Sequence, residues 1–314
     1  MENTPFDLPS PVYSSVPNHG FASNPVQYRL KVRRFTKCPA EFTVQQVSFD
    51  RDLERYERCA NAGMRYVPSG GPRGKRSAPP LVRDEESIER SQRRAKINIR
   101  LAVTELAPNH FVTFTTRENG PVYFKPSDWS AMWAHFIRLC RAAGIDLEYV
   151  AVLERHPSNP EHLHLHVAWR GNAHYNTLRR FWYIAIATHR GEKLTKLPRG
   201  SDTPGNILDK PVKAPRGSFK QVRKIAKYIS KYITKDLISE FNKKRYWVSK
   251  GLTVEAARLF WLNGLTQAEA IREACKMLGQ WDDELGLCPQ NSFHPSDRIF
   301  WVAIDPNLTP PPPF

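Results

Sequence analysis

The chain has 314 residues, 40% of them hydrophobic, and 47 Lys and Arg against 31 Asp and Glu give it a net charge of +16. That length suits one principal domain with additions or two smaller ones, and the positive surplus suits a polyanionic partner. No run of about 18 apolar residues is present to span a bilayer, and the first twenty residues lack the basic start and apolar stretch of a signal peptide, so a membrane or exported protein is not expected.

Residues 1–27 are rich in Pro, Ser and Asn and poor in charge, the composition of a disordered tail. An N-terminal extension over 28–83 holds short candidate elements in "QYRLKVRRF" and "DRDLERYERCANAG", then a basic Gly/Pro loop, "VPSGGPRGKRSAPP". The loop is not a phosphate-binding P-loop, because Arg76 follows Gly74-Lys75 and Ser69 stands where the first glycine is required. No ATPase motor is encoded. Cys38, Cys59, Cys140, Cys275 and Cys288 are an odd set without a C-x-x-C pair, which points to reduced thiols rather than disulfides or a cysteine zinc ribbon.

The pattern from Asp84 to Leu106 predicts a helix and that from His110 to Thr116 a strand. Trp129, Trp133, Phe136, Ile137 and Cys140 recur at helical spacing, and Gly144 ends that helix. "LEYVAVLE" is the next strand, and a turn through "RHPSNP" leads into "EHLHLHVAW". There, successive side chains alternate between faces, so His162, His164 and His166 line one side of a strand and Leu163, Leu165 and Val167 the other. "NTLRRFWYIAIATH" is helical, and residues 190–217 are loop-like.

A further helix begins at Ser218, whose spacing from Gln221 is that of a capping box. Val222, Ile225, Ile229 and Ile233 form its apolar stripe, with Lys224, Lys231 and Lys235 about a third of a turn away and Tyr228 and Tyr232 on the border. Tyr228-x-x-Lys231 is repeated one turn later as Tyr232-x-x-Lys235. Between Lys210 and Lys250 thirteen basic residues face two acids, whereas residues 251–314 hold four basic and eight acidic residues. "KKRYWVSKG" sets Tyr246 and Trp247 among basic residues, suited either to stacking on single-stranded bases or to a core. The C-terminal segment, 251–314, reads as two helices around Asn263-Gly264 with a second capping box at Thr266 and Glu269, followed by a Pro-rich tail; its acidity favours packing or a protein partner over DNA. The whole order predicts an α+β fold, an antiparallel sheet with flanking helices plus a small helical C-terminal segment.

"HFVTFTT", "HLHLHVAW" and "YISKYITK", in that order, resemble the three motifs of HUH endonucleases, and specifically the two-tyrosine rolling-circle replication initiators of small single-stranded DNA phages and plasmids. The resemblance covers residues 84–250 and implies an HUH-type, RRM-like core. Conjugative relaxases place the tyrosine before the histidines, and the related two-tyrosine transposases are longer and carry a cysteine-rich zinc module.

The resemblance implies a metal-dependent nicking and joining enzyme. Tyr228 and Tyr232 would be the nucleophiles, with Lys231 and Lys235 acting on the scissile phosphate. Glu154, His164 and His166 would hold a divalent ion, Mg2+ or Mn2+; His162 is an alternative in a shifted register, and Glu148 and His156 are alternatives to Glu154. Arg223, Lys224, Lys227, Lys243, Lys244 and Arg245 would contact the DNA backbone. The implied partners are single-stranded DNA at a replication origin and a separate helicase and polymerase, with no membrane. The implied place is the cytoplasm of a bacterial host or other cell carrying the replicon. A transposase of the same superfamily and a non-catalytic nucleic-acid-binding replication regulator are the competing readings.

Overall fold

A computed structural model describes residues 27–47, 85–117, 124–156, 158–209, 212–235, 246–262, 266–277, 292–296 and 299–304. The expected tail over 1–26, the Gly/Pro loop and the Pro-rich end lie outside the described residues. The chain divides into two compact units: one combines its N-terminal strands with residues from 255 onward, and the other comprises Thr36–Cys38 and Val82–Val254.

The first unit begins with β1 (Gln27–Arg33) and β2 (Ala40–Val47), antiparallel with Leu30 opposite Val44. The larger unit follows with α1 (Glu85–Leu106), β3 (His110–Thr116), α2 (Pro126–Ala142), β4 (Glu148–His156), β5 (Asn159–Arg170), α3 (Tyr175–His189), β6 (Gly205–Asp209), α4 (Phe219–Lys235) and β7 (Tyr246–Val248). The chain then supplies β8 (Arg258–Leu262), α5 (Gln267–Met277), β9 (Ser292–Ser296) and β10 (Ile299–Ile304) to the first unit. Among the described residues both sheets are antiparallel and five-stranded, in the orders β8-β1-β2-β10-β9 and β6-β3-β5-β4-β7. The α+β class with flanking helices is borne out, with two sheets where one was expected.

In the larger unit the sheet is buried on both faces. One face packs Phe114, Leu165, Val167 and Trp169 against Trp129, Trp133 and Phe136 of α2 and Trp182 of α3. The other packs Phe111, Val150, Val152 and Ala168 against Ile99, Val103 and Leu106 of α1 and Ile225 and Ile229 of α4. The apolar periodicity of each helix is therefore spent on one sheet face. Phe114 has no exposed surface, and its ring lies 5.3 Å from that of Trp133 and 5.2 Å from those of Phe136 and Trp182. Phe114→Ala is expected to cost about 3–5 kcal/mol of stability, read as a lowered urea midpoint.

Two elements differ from the pattern-based expectation. Residues 205–209, read as loop, form β6, an edge strand paired with β3. A Cβ on Gly205 would stand 2.3 Å from the Thr115 carbonyl oxygen, so only glycine permits this close pairing. Residues 258–262, read as helical, form β8 instead. Phe260 and Leu262 pack on the first unit's core, while Leu259 and Trp261 are each 46% exposed, an alternation of period two. The helix expected after it is present as α5, with the Thr266 amide donating to Glu269 at 2.7 Å and the Glu269 amide to Thr266 Oγ1 at 3.3 Å. The bond from the Thr266 backbone holds the Glu269 carboxyl below its ordinary range. In β7, Tyr246 and Val248 pack toward the α1 and α4 side and Trp247 toward α2 and α3, so both aromatics flank the core. Cys38, Cys140 and Cys275 are free thiols, and burial pushes the Cys140 thiol up to about 12.

Candidate active site

Three strands bring the polar cluster together on the sheet face covered by α1 and α4. Within the β4–β5 hairpin, Glu154 pairs with His164 and Val152 with His166; across the sheet, Thr113 of β3 pairs with His166. Because registered partners share a face, Glu154, Thr113 and the histidine row all point to one side. His166 is the innermost imidazole, only 2% exposed, and Glu154 beside it is 6% exposed. His166 Nε2 lies 2.7 Å from Glu154 Oε2, and its Nδ1 lies 3.0 Å from Thr113 Oγ1. One neutral tautomer satisfies both contacts: Nε2–H donates to the carboxylate, and Nδ1 accepts the threonine hydroxyl. The Phe111 ring stacks on His166 at 6.1 Å and 22°.

The other imidazoles continue outward. His164 is half-buried, and its ring lies 4.8 Å from that of His156 and 4.9 Å from that of His162. His162 Nε2 lies 3.0 Å from the Thr116 carbonyl oxygen. Glu148 is at the opposite end of β4, where its carboxylate meets Lys37 at 3.0 Å, so the strand carries it away from the cluster.

The helix α4 lies over this face because Val222, Ile225 and Ile229 are buried against it. Its start is as the sequence implies: the Gln221 amide donates to Ser218 Oγ at 3.2 Å, and the Gln221 side chain accepts from the Gly217 amide. Tyr228 sits at the edge of the buried stripe and is 42% exposed. Its ring meets Phe111 edge-on at 5.3 Å and His166 edge-on at 6.5 Å. Thus the first tyrosine of the doublet stands over the innermost histidine. Lys231, Lys227, Lys224 and Arg223 are exposed along the same helix; Arg223 lies over the Phe219 ring at 5.8 Å, and Lys224 Nζ donates to the Lys213 carbonyl. Tyr232 and Lys235 belong to the last turns of α4, but their side chains lie outside the described residues, as do Lys243, Lys244 and Arg245.

Two imidazoles and a carboxylate on neighbouring strands are donor types that suit a divalent ion, and a hydroxyl on the far nitrogen of His166 is the kind of partner that orients a ligating ring. The donor set therefore fits a metal. In the arrangement seen, Glu154 closes directly on His166 and His164 turns to its neighbouring rings. Among the described residues no group of three His, Cys, Asp or Glu side chains is arranged to hold a metal ion. Sequence reasoning missed Thr113 and Phe111 as partners of His166. Their signal is the alternation in "HFVTFTT", which sets both on one face without saying what they touch.

Residues 109–237 match a family model for replication-associated proteins, described as ORF2 and gene 2 protein. No curated protein and no solved structure matches the chain. The matched span runs from β3 through α4 and so contains Thr113, Glu154, the histidine row and both tyrosines. It supports a replication-initiator family for this part of the chain.

Proposed function

We propose that the chain is an HUH-type endonuclease that starts rolling-circle replication by nicking single-stranded origin DNA through a tyrosine. The observation that carries this reading is the Tyr228 ring standing over His166, which is itself bonded to Glu154. Tyr228 Oη forms a bond to phosphorus as the bond to the 3′-oxygen breaks, leaving a 5′-phosphotyrosine and a free 3′-hydroxyl that a separate polymerase extends. The phenol loses one proton and the 3′-oxygen gains one, so the step is proton-neutral. Because a free phenol ionises near pH 10, the site must assist. Lys231, one turn beyond Tyr228, supplies positive charge near the phosphate, and Arg223, Lys224 and Lys227 hold the backbone. Mg2+ or Mn2+ bound by Glu154, His164 and His166, or by His162 in the shifted register, would supply Lewis-acid polarisation of the phosphate. Tyr232 and Lys235 repeat the unit for the second cleavage, at which Tyr228 is still occupied. The enzyme would act with a separate helicase in the cytoplasm of the cell carrying the replicon. No helix among the described residues is long and apolar enough to cross a membrane.

The test is incubation of the full chain with a pool of labelled single-stranded oligonucleotides and Mn2+, followed by a denaturing gel. Covalent adducts are expected, and excess EDTA is expected to abolish them while most of the salt-sensitive binding persists, because backbone affinity does not need the ion. Undiminished adducts in EDTA would exclude the metal. The closed Glu154–His166 contact favours one other reading, a non-catalytic nucleic-acid-binding regulator, which gives binding and no adduct with either tyrosine.

A further inference from the structure

Beside the histidine row, a cavity of about 620 Å3 opens where β3 and β5 end, between β6 and α3. That volume lies within the roughly 300–1,000 Å3 of small-ligand sites. Arg117 and Arg179 line it, and among the described residues no Asp or Glu does, so its charge suits an anion. Asn159, Asn206 and Thr116 add amides and a hydroxyl, groups that both donate and accept.

The cavity wall also holds unmet polar groups. Thr116 is 4% exposed and its Oγ1 is buried without a hydrogen-bond partner; Arg179 Nε is buried and unpartnered too, although the same guanidinium donates to the Tyr175 hydroxyl at 3.0 Å. Buried polar side-chain atoms nearly always have partners, so two unmet ones at a single cavity point to a ligand that supplies them. His162 joins this cavity to the site above, since it lines the cavity, meets the Thr116 carbonyl oxygen at 3.0 Å and lies against the His164 ring at 4.9 Å.

From these features we infer that the cavity is a nucleotide subsite. It takes one unstacked nucleotide of the single-stranded substrate close to the bond cut at Tyr228, with a phosphate on Arg117 and Arg179 and the base edge on Thr116, Asn159 and Asn206. The inference rests on the nicking reading, and it assigns His162 to the boundary between the two parts of the substrate. An unstacked base is available in single-stranded DNA at little cost, and hydrogen bonds to its edge carry sequence preference.

The test is photo-crosslinking of the full chain to single-stranded oligonucleotides carrying 5-iododeoxyuridine, in EDTA so that no cleavage is needed, with mapping of the linked peptide. Crosslinks are expected on Thr115–Arg117 or on residues 200–206. Their yield is expected to fall roughly fivefold, the effect of one lost hydrogen bond, in Thr116→Val and in the exposed-site variant Arg117→Gln. Crosslinks confined to other peptides, or unchanged in both variants, would overturn the subsite. If excess thymidine monophosphate displaces the oligonucleotide crosslinks, the cavity is a site for free nucleotides and the assignment to the substrate strand is wrong. Crosslinks here without any Mn2+-dependent adduct would instead sink the nicking reading while leaving the cavity a nucleotide site.

Discussion

Tyr228→Phe is expected to reduce covalent capture of single-stranded DNA by about 100-fold or more, because the substitution removes the attacking oxygen and leaves only the second tyrosine. Its effect on stability should be small. The Tyr228 ring is 42% exposed, and its edge contact with Phe111 does not involve the hydroxyl, so the melting temperature should change little. Tyr232→Phe should leave first-strand capture largely intact but impair release of joined circles, and the double substitution should remove adducts entirely. The two tyrosines are one helical turn apart, about 6 Å along the axis, close enough to serve one phosphate-binding centre in alternation. The measurement is a denaturing gel with peptide mapping of the linked residue. Full-rate adducts mapped to Tyr232 in the Tyr228→Phe protein would exchange the two roles. Normal circle release by Tyr232→Phe would end the alternating scheme and leave Tyr228 acting alone.

The second large effect concerns His166 and His164, which should separate folding from chemistry. His166→Ala removes the imidazole that Glu154 meets at 2.7 Å and Thr113 at 3.0 Å, deep under α4. Taking one hydrogen-bonded partner from a buried carboxylate costs about 3–5 kcal/mol, so this variant should lose both stability and activity. His164 is only half-buried. His164→Ala should therefore keep its urea midpoint within about 1 kcal/mol of stability while losing adduct formation as fully as His166→Ala. Mn2+ should raise the melting temperature of the unaltered protein, because an ion that binds only the folded state stabilises it, and this rise should vanish in His164→Ala and in Glu154→Gln. Retention of both the Mn2+ shift and the adducts by His164→Ala would show that the ligand set is wrong. Loss of both in His162→Ala, with His164→Ala unaffected, would move the set by one strand period.

Local pattern alone determined most of the larger unit. The strict alternation of "HLHLHVAW" assigns His166 and Leu165 to opposite faces wherever the strand lies, and the Ile225-Ile229 stripe with the Ser218 cap specifies α4, because both are properties of neighbouring residues. The basic stretch and the tyrosine-lysine repeat were legible for the same reason. Other features depend on partners distant in the chain. Nothing in "GNILD" declares a strand; its pairing with β3 requires a close approach at Gly205 that only the assembled sheet displays. "RLFWL" is an uninterrupted apolar run that helix and strand tolerate alike, and β1, more than two hundred residues earlier, decides the matter by pairing Arg29 with Trp261. The same holds at the candidate site. Three alternating histidines are equivalent in the sequence, and only the register of β5 between β3 and β4 sets His166, rather than His162, between Thr113 and Glu154. Likewise, Tyr228 and Tyr232 are indistinguishable as residue types. The seating of Ile225 and Ile229 on the sheet is what brings the Tyr228 ring over His166, since a helix can present only one angular position to a given point on the surface it packs against.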